Sequence, residues 1–295
     1  MKIIIYSPAY QQASGGIVVL HKLVDLLIKQ GFDAGFFIPD KAIVTEVEGS
    51  GFTINPKNEW NGFTIDEIDK ANDIVVYPEI IHSNPLGVKR VVRYILNAPY
   101  VTKTRIPTWG KDDSWIYYSK KFYDGNKPEV ILNIQDSKLN SFFDKGMPRS
   151  SRPYDCFTYR KNNDKVNELN IIHRKDAIEF GFNMTDEYLI ELFNKSKRFY
   201  CYDTESYLPL LASLCGCDAI VVPTKTSNRE DVMDKQSCMK YGVAYGIDEI
   251  GLARETRFKL EPYLVNQESE QAKAVEAVFQ RIIIDKFPVT HSIRP

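Results

Sequence analysis

The chain has 295 residues, with 38 Lys and Arg against 39 Asp and Glu and a formal net charge of -1. That balance lacks a strong basic footprint, so no nucleic-acid partner is expected. Apolar residues make up 43% and mean hydropathy is -0.31, enough for two ordinary cores, while the longest apolar stretches (Ile3 to Ile5, Ile17 to Leu20) fall far short of the roughly 20 residues of a membrane span. The opening Met-Lys-Ile-Ile-Ile-Tyr-Ser-Pro is too short an apolar run for a signal peptide, so a cytoplasmic location is expected. Cys156, Cys201, Cys215, Cys217 and Cys238 form no even-numbered framework and are expected to be reduced.

In chain order, Lys2 to Tyr6 is a short apolar run, Ser7 to Gly16 a loop, and Ile17 to Gln30 an amphipathic helix with Val18, Leu20, Leu23, Leu26 and Leu27 at helical spacing, stopped by Gly31. A strand at Ala34 to Ile38 completes the crossover unit that opens a doubly wound parallel sheet. Further expected elements are an edge strand at Phe52 to Ile54, a short helix at Ile65 to Asp69 and a buried strand at Asp73 to Tyr77 that ends at Pro78-Glu79. Pro85 to Leu96 reads as a helix with Val88, Val91, Val92 and Ile95 on one face and Lys89, Arg90 and Arg93 on the other. From Asn97 to about Arg152 the chain is irregular and rich in aromatics, with one strand candidate at Val130 to Ile134.

Periodicity resumes with a strand at Asp155 to Tyr159 and again at Asn170 to His173, then a helix at Asp186 to Lys195, a strand at Phe199 to Tyr202, a helix at Tyr207 to Cys215 and a strand at Ala219 to Pro223. Asn266 to Ile284 reads as a long helix with Ala272, Val275, Val278, Phe279 and Ile282 in register, expected to pack back on the first domain. The fold class is therefore α/β: two Rossmann-like domains, 1–152 and 153–265, facing across a cleft, with a C-terminal helix and tail at 266–295. Open parallel sheets bind ligands at the carboxyl ends of their strands, so function is sought in those loops.

Gly15-Gly16, at the start of the first helix, allows close backbone approach to a phosphate or a sugar hydroxyl, and equally suits a plain helix-entry turn. The spacing Gly-x-Gly-x-x-Gly and the Gly-Lys-Ser/Thr of a P-loop are absent, which removes the main support for dehydrogenase and NTPase readings. Arg160-Lys161, just after a strand, could neutralise a diphosphate or form a solvated surface pair. In Asp203-Thr204-Glu205-Ser206, Asp203 or Ser206 suits a helix cap, and the turn also suits a phosphate contact. Cys215-Gly216-Cys217 has neither the spacer nor the second ligand pair of a zinc site, so small-residue packing is preferred and no metal is expected.

The stretch Phe199 to Pro223, with its acidic and hydroxyl turn, helix and Cys-Gly-Cys, resembles the donor-binding segment of two-Rossmann (GT-B) glycosyltransferases of surface polysaccharides. Gly15-Gly16, Val76-Tyr77-Pro78-Glu79, Asn84-Pro85, the run Val91 to Asn97 and Arg160-Lys161 are similar in kind and order, so the resemblance spans Met1 to about Val232. The pattern departs where retaining members carry two glutamates: Asp203 stands at the first position and Leu211 at the second, so neither the ribose contact nor a retaining outcome carries over.

The resemblance implies a metal-independent transferase without a cofactor, moving a sugar from a nucleoside-diphosphate donor to a saccharide or lipid-linked acceptor, through which the chain could lie peripheral to a membrane. Gly15, Gly16, Arg160, Lys161, Asp203, Thr204, Glu205 and Ser206 are the expected donor contacts. Trp109, Trp115, Tyr117 and Tyr118 form an acceptor wall or a packed core. Glu79, after an apolar strand, is the candidate base, with His82 in reserve. No Asp-x-Asp triplet occurs, and Asp112-Asp113 is its nearest imitation. A non-catalytic nucleotide or sugar binder and a cofactor-free nucleotide-sugar epimerase remain the alternatives.

Overall fold

The computed structural model describes residues 1–11, 14–39, 52–53, 60–97, 108–123, 125, 128, 130–159, 170–181, 184–204, 206–225, 227–235 and 237–286. Contacts divide the chain into two compact units, Met1–Asp136 with Glu268–Pro295, and Ser137–Gln267.

In the first unit the elements run β1 (Ile3–Tyr6), β2 (Tyr10–Gln11), α1 (Gly15–Lys29), β3 (Ala34–Phe37), β4 (Phe52–Thr53), β5 (Ile74–Pro78), β6 (Arg90–Ile95) and β7 (Ser114–Tyr117). Five of these strands form one sheet in the order β3-β1-β5-β6-β7, every neighbour parallel. Numbered along the chain the order is 2-1-3-4-5, so its direction reverses between β1 and β5, the switch point where doubly wound sheets hold ligands. Alternate residues feed opposite faces: Ile3, Ile5, Ile74 and Val76 pack with α1, while Ile4, Val75, Tyr77 and Val91 build a second cluster. With both faces covered, these strands read as continuous apolar runs.

Two sequence expectations fail here. Residues 85–96 contain the strand β6 instead of a helix, and its residues from Val91 to Ile95 are all buried. A strand buried on both faces imitates helical spacing, and the interrupting Arg93 is itself fully buried. Ile65 to Asp69 is irregular rather than helical; a bridge from Phe36 to the preceding Thr64 seats Ile65 in the core. Phe52–Thr53 pairs antiparallel with β2, and Val130 to Ile134 contributes a single parallel bridge from Ile131 to Tyr117.

The second unit runs β8 (Tyr154–Thr158), β9 (Ile178–Glu179), α2 (Asp186–Lys195), β10 (Ser196–Cys201), α3 (Leu208–Leu214), β11 (Asp218–Val221), α4 (Arg229–Lys235), β12 (Val243–Tyr245), α5 (Ile250–Thr256) and α6 (Leu260–Lys286). Its strand order β12-β11-β10-β8-β9 is again 2-1-3-4-5 when read from β9, with the reversal between β8 and β10. Asn170 to His173, where periodicity resumes, forms no strand; β9 follows at Ile178–Glu179. Residues 137–152, expected in the first domain, belong to the second unit, where Phe142 joins the core and Arg152 Nη1 donates to the carbonyls of Phe193, Ser196 and Cys215.

Helix α6 serves both units in turn. Leu260 and Leu264 pack on Leu210 of the second, whereas Val275, Phe279 and Ile282 lie in the core of the first, as expected for the C-terminal helix. Among the described residues no helix is long and apolar enough to cross a membrane.

Candidate functional site

At the switch point of the first sheet, α1 begins with Gly15 and Gly16. Among the described residues Ser14 makes no side-chain cap, and nothing approaches within 4 Å of a side chain built on Gly15. A side chain on Gly16 would meet Leu96 Cδ1 at 3.6 Å. The backbone N–H of the same Leu96 donates to Glu79 Oε2 at 3.0 Å. Leu96 thus links two expected site residues, one from the end of β5 and one from the start of α1. Burial raises the pKa of Glu79, while the Leu96 N–H opposes the rise by favouring the carboxylate.

The loop after β5 is fixed by a residue expected on the face of a helix opposite its apolar side. Arg93 on β6 donates through Nε to Asp113 Oδ2 at 2.7 Å, through Nη1 to the Ile81 carbonyl at 3.0 Å and through Nη2 to the Ser83 carbonyl, and its guanidinium lies 4.9 Å from the Tyr77 ring centroid. Ser83 adopts φ +54°, a left-handed conformation uncommon for serine. Tyr77 Oη donates to Asn84 Oδ1 at 3.0 Å and accepts from Leu86 N–H at 3.1 Å. This frame leaves His82 exposed. A lone Arg inside an otherwise apolar run is visible in the sequence, but its burial and its role as an anchor are not.

Asp113, half of the nearest Asp-x-Asp imitation, accepts from Arg93 and from Gly110 N–H. The aromatic candidates are edge-packed: Trp109 on Trp115 at 5.0 Å, Trp115 near Tyr117 at 6.1 Å and Tyr117 on Tyr123 at 5.3 Å. Trp109 Nε1–H also donates to the Ile81 carbonyl at 3.3 Å, tying this cluster to the Glu79 loop. Tyr117 is 1% exposed and offers no ring face, so its place in an acceptor wall is corrected to a core role. Trp109, Trp115 and Tyr118 are half-buried.

In the second unit the reversal between β8 and β10 brings Thr158 beside Tyr202, whose N–H donates to the Thr158 carbonyl at 3.0 Å. Asp203 and Ser206 follow, both buried; Ser206 N–H donates to the Asp203 carbonyl at 3.2 Å, and Ser206 Oγ accepts from Leu208 N–H at 3.2 Å. Ser206 therefore ties down the entry to α3, and Thr204 beside it is half-buried. Leu211, at the second-glutamate position, is a core residue of α3. Arg160, Lys161 and Glu205 lie outside the described residues. Tyr159, Tyr202 and His173 form an aromatic group that spacing did not reveal: His173 stacks on Phe157 at 3.7 Å, and its Nδ1 meets Tyr202 Oη at 2.8 Å. Burial lowers the His173 pKa, favouring a neutral ring.

Cys215 and Cys217 are buried and Gly216 adopts φ +76°, with a hypothetical Cβ only 2.1 Å from Asp144 Oδ2 and 2.7 Å from Arg152 Nη2. Close packing with the Arg152 anchor explains this small-residue turn. Burial pushes the Cys215 thiol up to about 12.

No family model matches the chain, and no curated protein matches it. Among solved structures, an alpha-glucosyltransferase in complex with UDP and a 13-mer DNA containing an A:G mismatch is similar at 14% identity over 95% of each chain, with a TM-score of 0.47. An alpha-glucosyltransferase with UDP-glucose and DNA containing an abasic site gives 15% identity over 95% of each chain and a TM-score of 0.45. T4 phage BGT in complex with its UDP-glucose substrate gives 10% identity over 96% of this chain and 99% of that one, with a TM-score of 0.46. The expected exclusion of nucleic acid is corrected: two of these structures contain DNA. Net charge sums over a whole surface, whereas nucleic-acid binding depends on local charge, so a sum of -1 does not exclude it.

Proposed function

We propose that this protein is a glycosyltransferase that moves a sugar from a nucleoside-diphosphate sugar to an acceptor hydroxyl without a metal ion. The observation that carries the reading is the recurrence of one strand order in both sheets, with candidate residues for different parts of the reaction at the two switch points. In this reading the second unit holds the donor: Arg160 and Lys161 take the diphosphate, and the 203–206 turn takes donor hydroxyls and phosphate oxygens. Asp203, an acceptor of hydrogen bonds when ionised, suits a sugar hydroxyl rather than a phosphate.

The first unit supplies the attack. Gly15 and Gly16 leave room for the transferred sugar, and Glu79 removes the acceptor proton, with His82 in reserve. Trp109, Trp115 and Tyr118 contribute to the acceptor region. As the glycosyl–phosphate bond breaks, the electron pair goes to the leaving diphosphate, whose growing charge Arg160 and Lys161 stabilise. The engagement of Asp113 by Arg93 supports metal independence by occupying one of the two adjacent carboxylates.

The test is incubation with UDP-, GDP- and dTDP-sugars, with acceptors drawn from saccharides, lipid-linked saccharides and hydroxymethylated DNA. Slow donor hydrolysis without acceptor, and transfer with one, are expected, and both should survive EDTA. Binding without turnover would make the protein a binding module, and conversion of a nucleotide sugar to its epimer would make it an epimerase. Replacing both Arg160 and Lys161 with Ala should weaken nucleoside-diphosphate binding by about 2–5 kcal/mol. An unchanged affinity would remove both residues from the donor site.

A further inference from the structure

Resting on the donor-binding reading of the second unit, we propose that Thr158 is an additional donor contact, its Oγ1–H donating to a diphosphate oxygen. Thr158 is the last residue of β8 and adjoins the strand-order reversal that draws a ligand to such a sheet. Its side chain is completely buried, and among the described residues Oγ1 has no hydrogen-bond partner. Buried hydroxyls are normally satisfied, and one left bare at a ligand-binding strand end calls for an explanation.

The neighbours have other engagements. The Thr158 carbonyl accepts from Tyr202 N–H, Ser206 Oγ accepts from Leu208 N–H, and Cys201 Sγ lies 3.2 Å from the Asp203 carbonyl. Thr158 shares its strand face with Cys156, which packs in the cluster containing Leu208, Leu211 and Ala212 of α3. Its hydroxyl is therefore on the α3 side of the sheet, the side to which the 203–206 turn leads. Folding has already buried this hydroxyl, so a phosphate oxygen that reaches it satisfies a desolvated donor with a charge-assisted bond.

The experiment is titration calorimetry of the full chain with UDP, GDP and dTDP, on wild type, Thr158→Val and Thr158→Ser, with melting temperatures measured without nucleotide. Valine keeps the shape and removes an unsatisfied group, so the free Thr158→Val protein should melt no lower than wild type. Its affinity for the bound nucleotide should nevertheless fall about tenfold or more, and Thr158→Ser should restore most of it. Thr158→Ala, measured in the same way, carries the test if the valine variant is poorly folded. A folded Val or Ala variant with wild-type affinity would overturn the Thr158 assignment alone. Failure of the wild type to bind any of the three nucleotides would overturn the donor-site reading and this inference with it.

Discussion

His21 shows what a single buried ring costs when its proton count changes. It is fully buried on α1, stacks on Phe36 at 4.3 Å and donates from Nε2 to the Pro8 carbonyl at 3.0 Å, with no partner for Nδ1 among the described residues. Burial, opposed only by the Pro8 bond, lowers its pKa from 6.5 to about 4. Between those values the unfolded chain binds the proton and the folded chain refuses it, so stability falls as pH drops from 6.5 to about 4. The loss amounts to about 3 kcal/mol. Urea unfolding of His21→Phe should lack this component, and a pH dependence equal to that of wild type would assign the loss to other groups. Glu79 works in the opposite sense: burial raises its pKa, so the acid form persists to higher pH than for a free carboxylate and turnover should climb as pH rises and the base ionises. Glu79→Gln should reduce turnover roughly 10²-fold with nucleotide affinity unchanged. If only His82→Ala abolishes turnover, the base is His82.

At the scale of elements, most of the architecture was legible because patterning and burial agreed. α1, α2, α3 and the strands β1, β3, β5, β8, β10 and β11 lie close to their expected positions, since each is a compact apolar run or has a clear amphipathic period. β6 was misread because Val88, Val91, Val92 and Ile95 satisfy the helical spacing, while the cue against a solvated face, a buried Arg93, is invisible without its partners Asp113, Ile81 and Ser83. The candidate site was legible only in part for the same reason: Glu79 could be placed at a strand end, but the Leu96 bond, the Arg93 frame and the bare Thr158 hydroxyl depend on contacts distant in sequence. Arg93→Met should therefore destabilise the first unit by about 3–5 kcal/mol, because Asp113 and two carbonyls lose a buried donor together. Equilibrium unfolding gives the magnitude, and a loss below about 1 kcal/mol would mean that water replaces the guanidinium without strain.

At the scale of the whole molecule, α6 is the element whose removal should be felt far from its start. Its apolar positions divide by unit: Leu260 and Leu264 pack in the second, while Val275, Phe279 and Ile282 complete the first against β1, β5 and α1. Phe279 is 0% exposed, and truncating such a side chain to alanine loses its transfer energy and leaves a cavity, a cost of about 3–5 kcal/mol. Phe279→Ala should thus lower the melting temperature of the first unit while nucleotide affinity, proposed to reside in the second, stays at the wild-type value. Leu264→Ala, buried to 2% exposure beside Leu210, places its defect in the second unit instead, so any loss of nucleotide affinity, read as a smaller rise in melting temperature with UDP, should be confined to this variant. Differential scanning calorimetry of both variants, with and without UDP, measures the two effects together. If Phe279→Ala weakens nucleotide binding as much as Leu264→Ala does, the two units fold as one cooperative block, and the division of labour between them must be argued from catalysis alone.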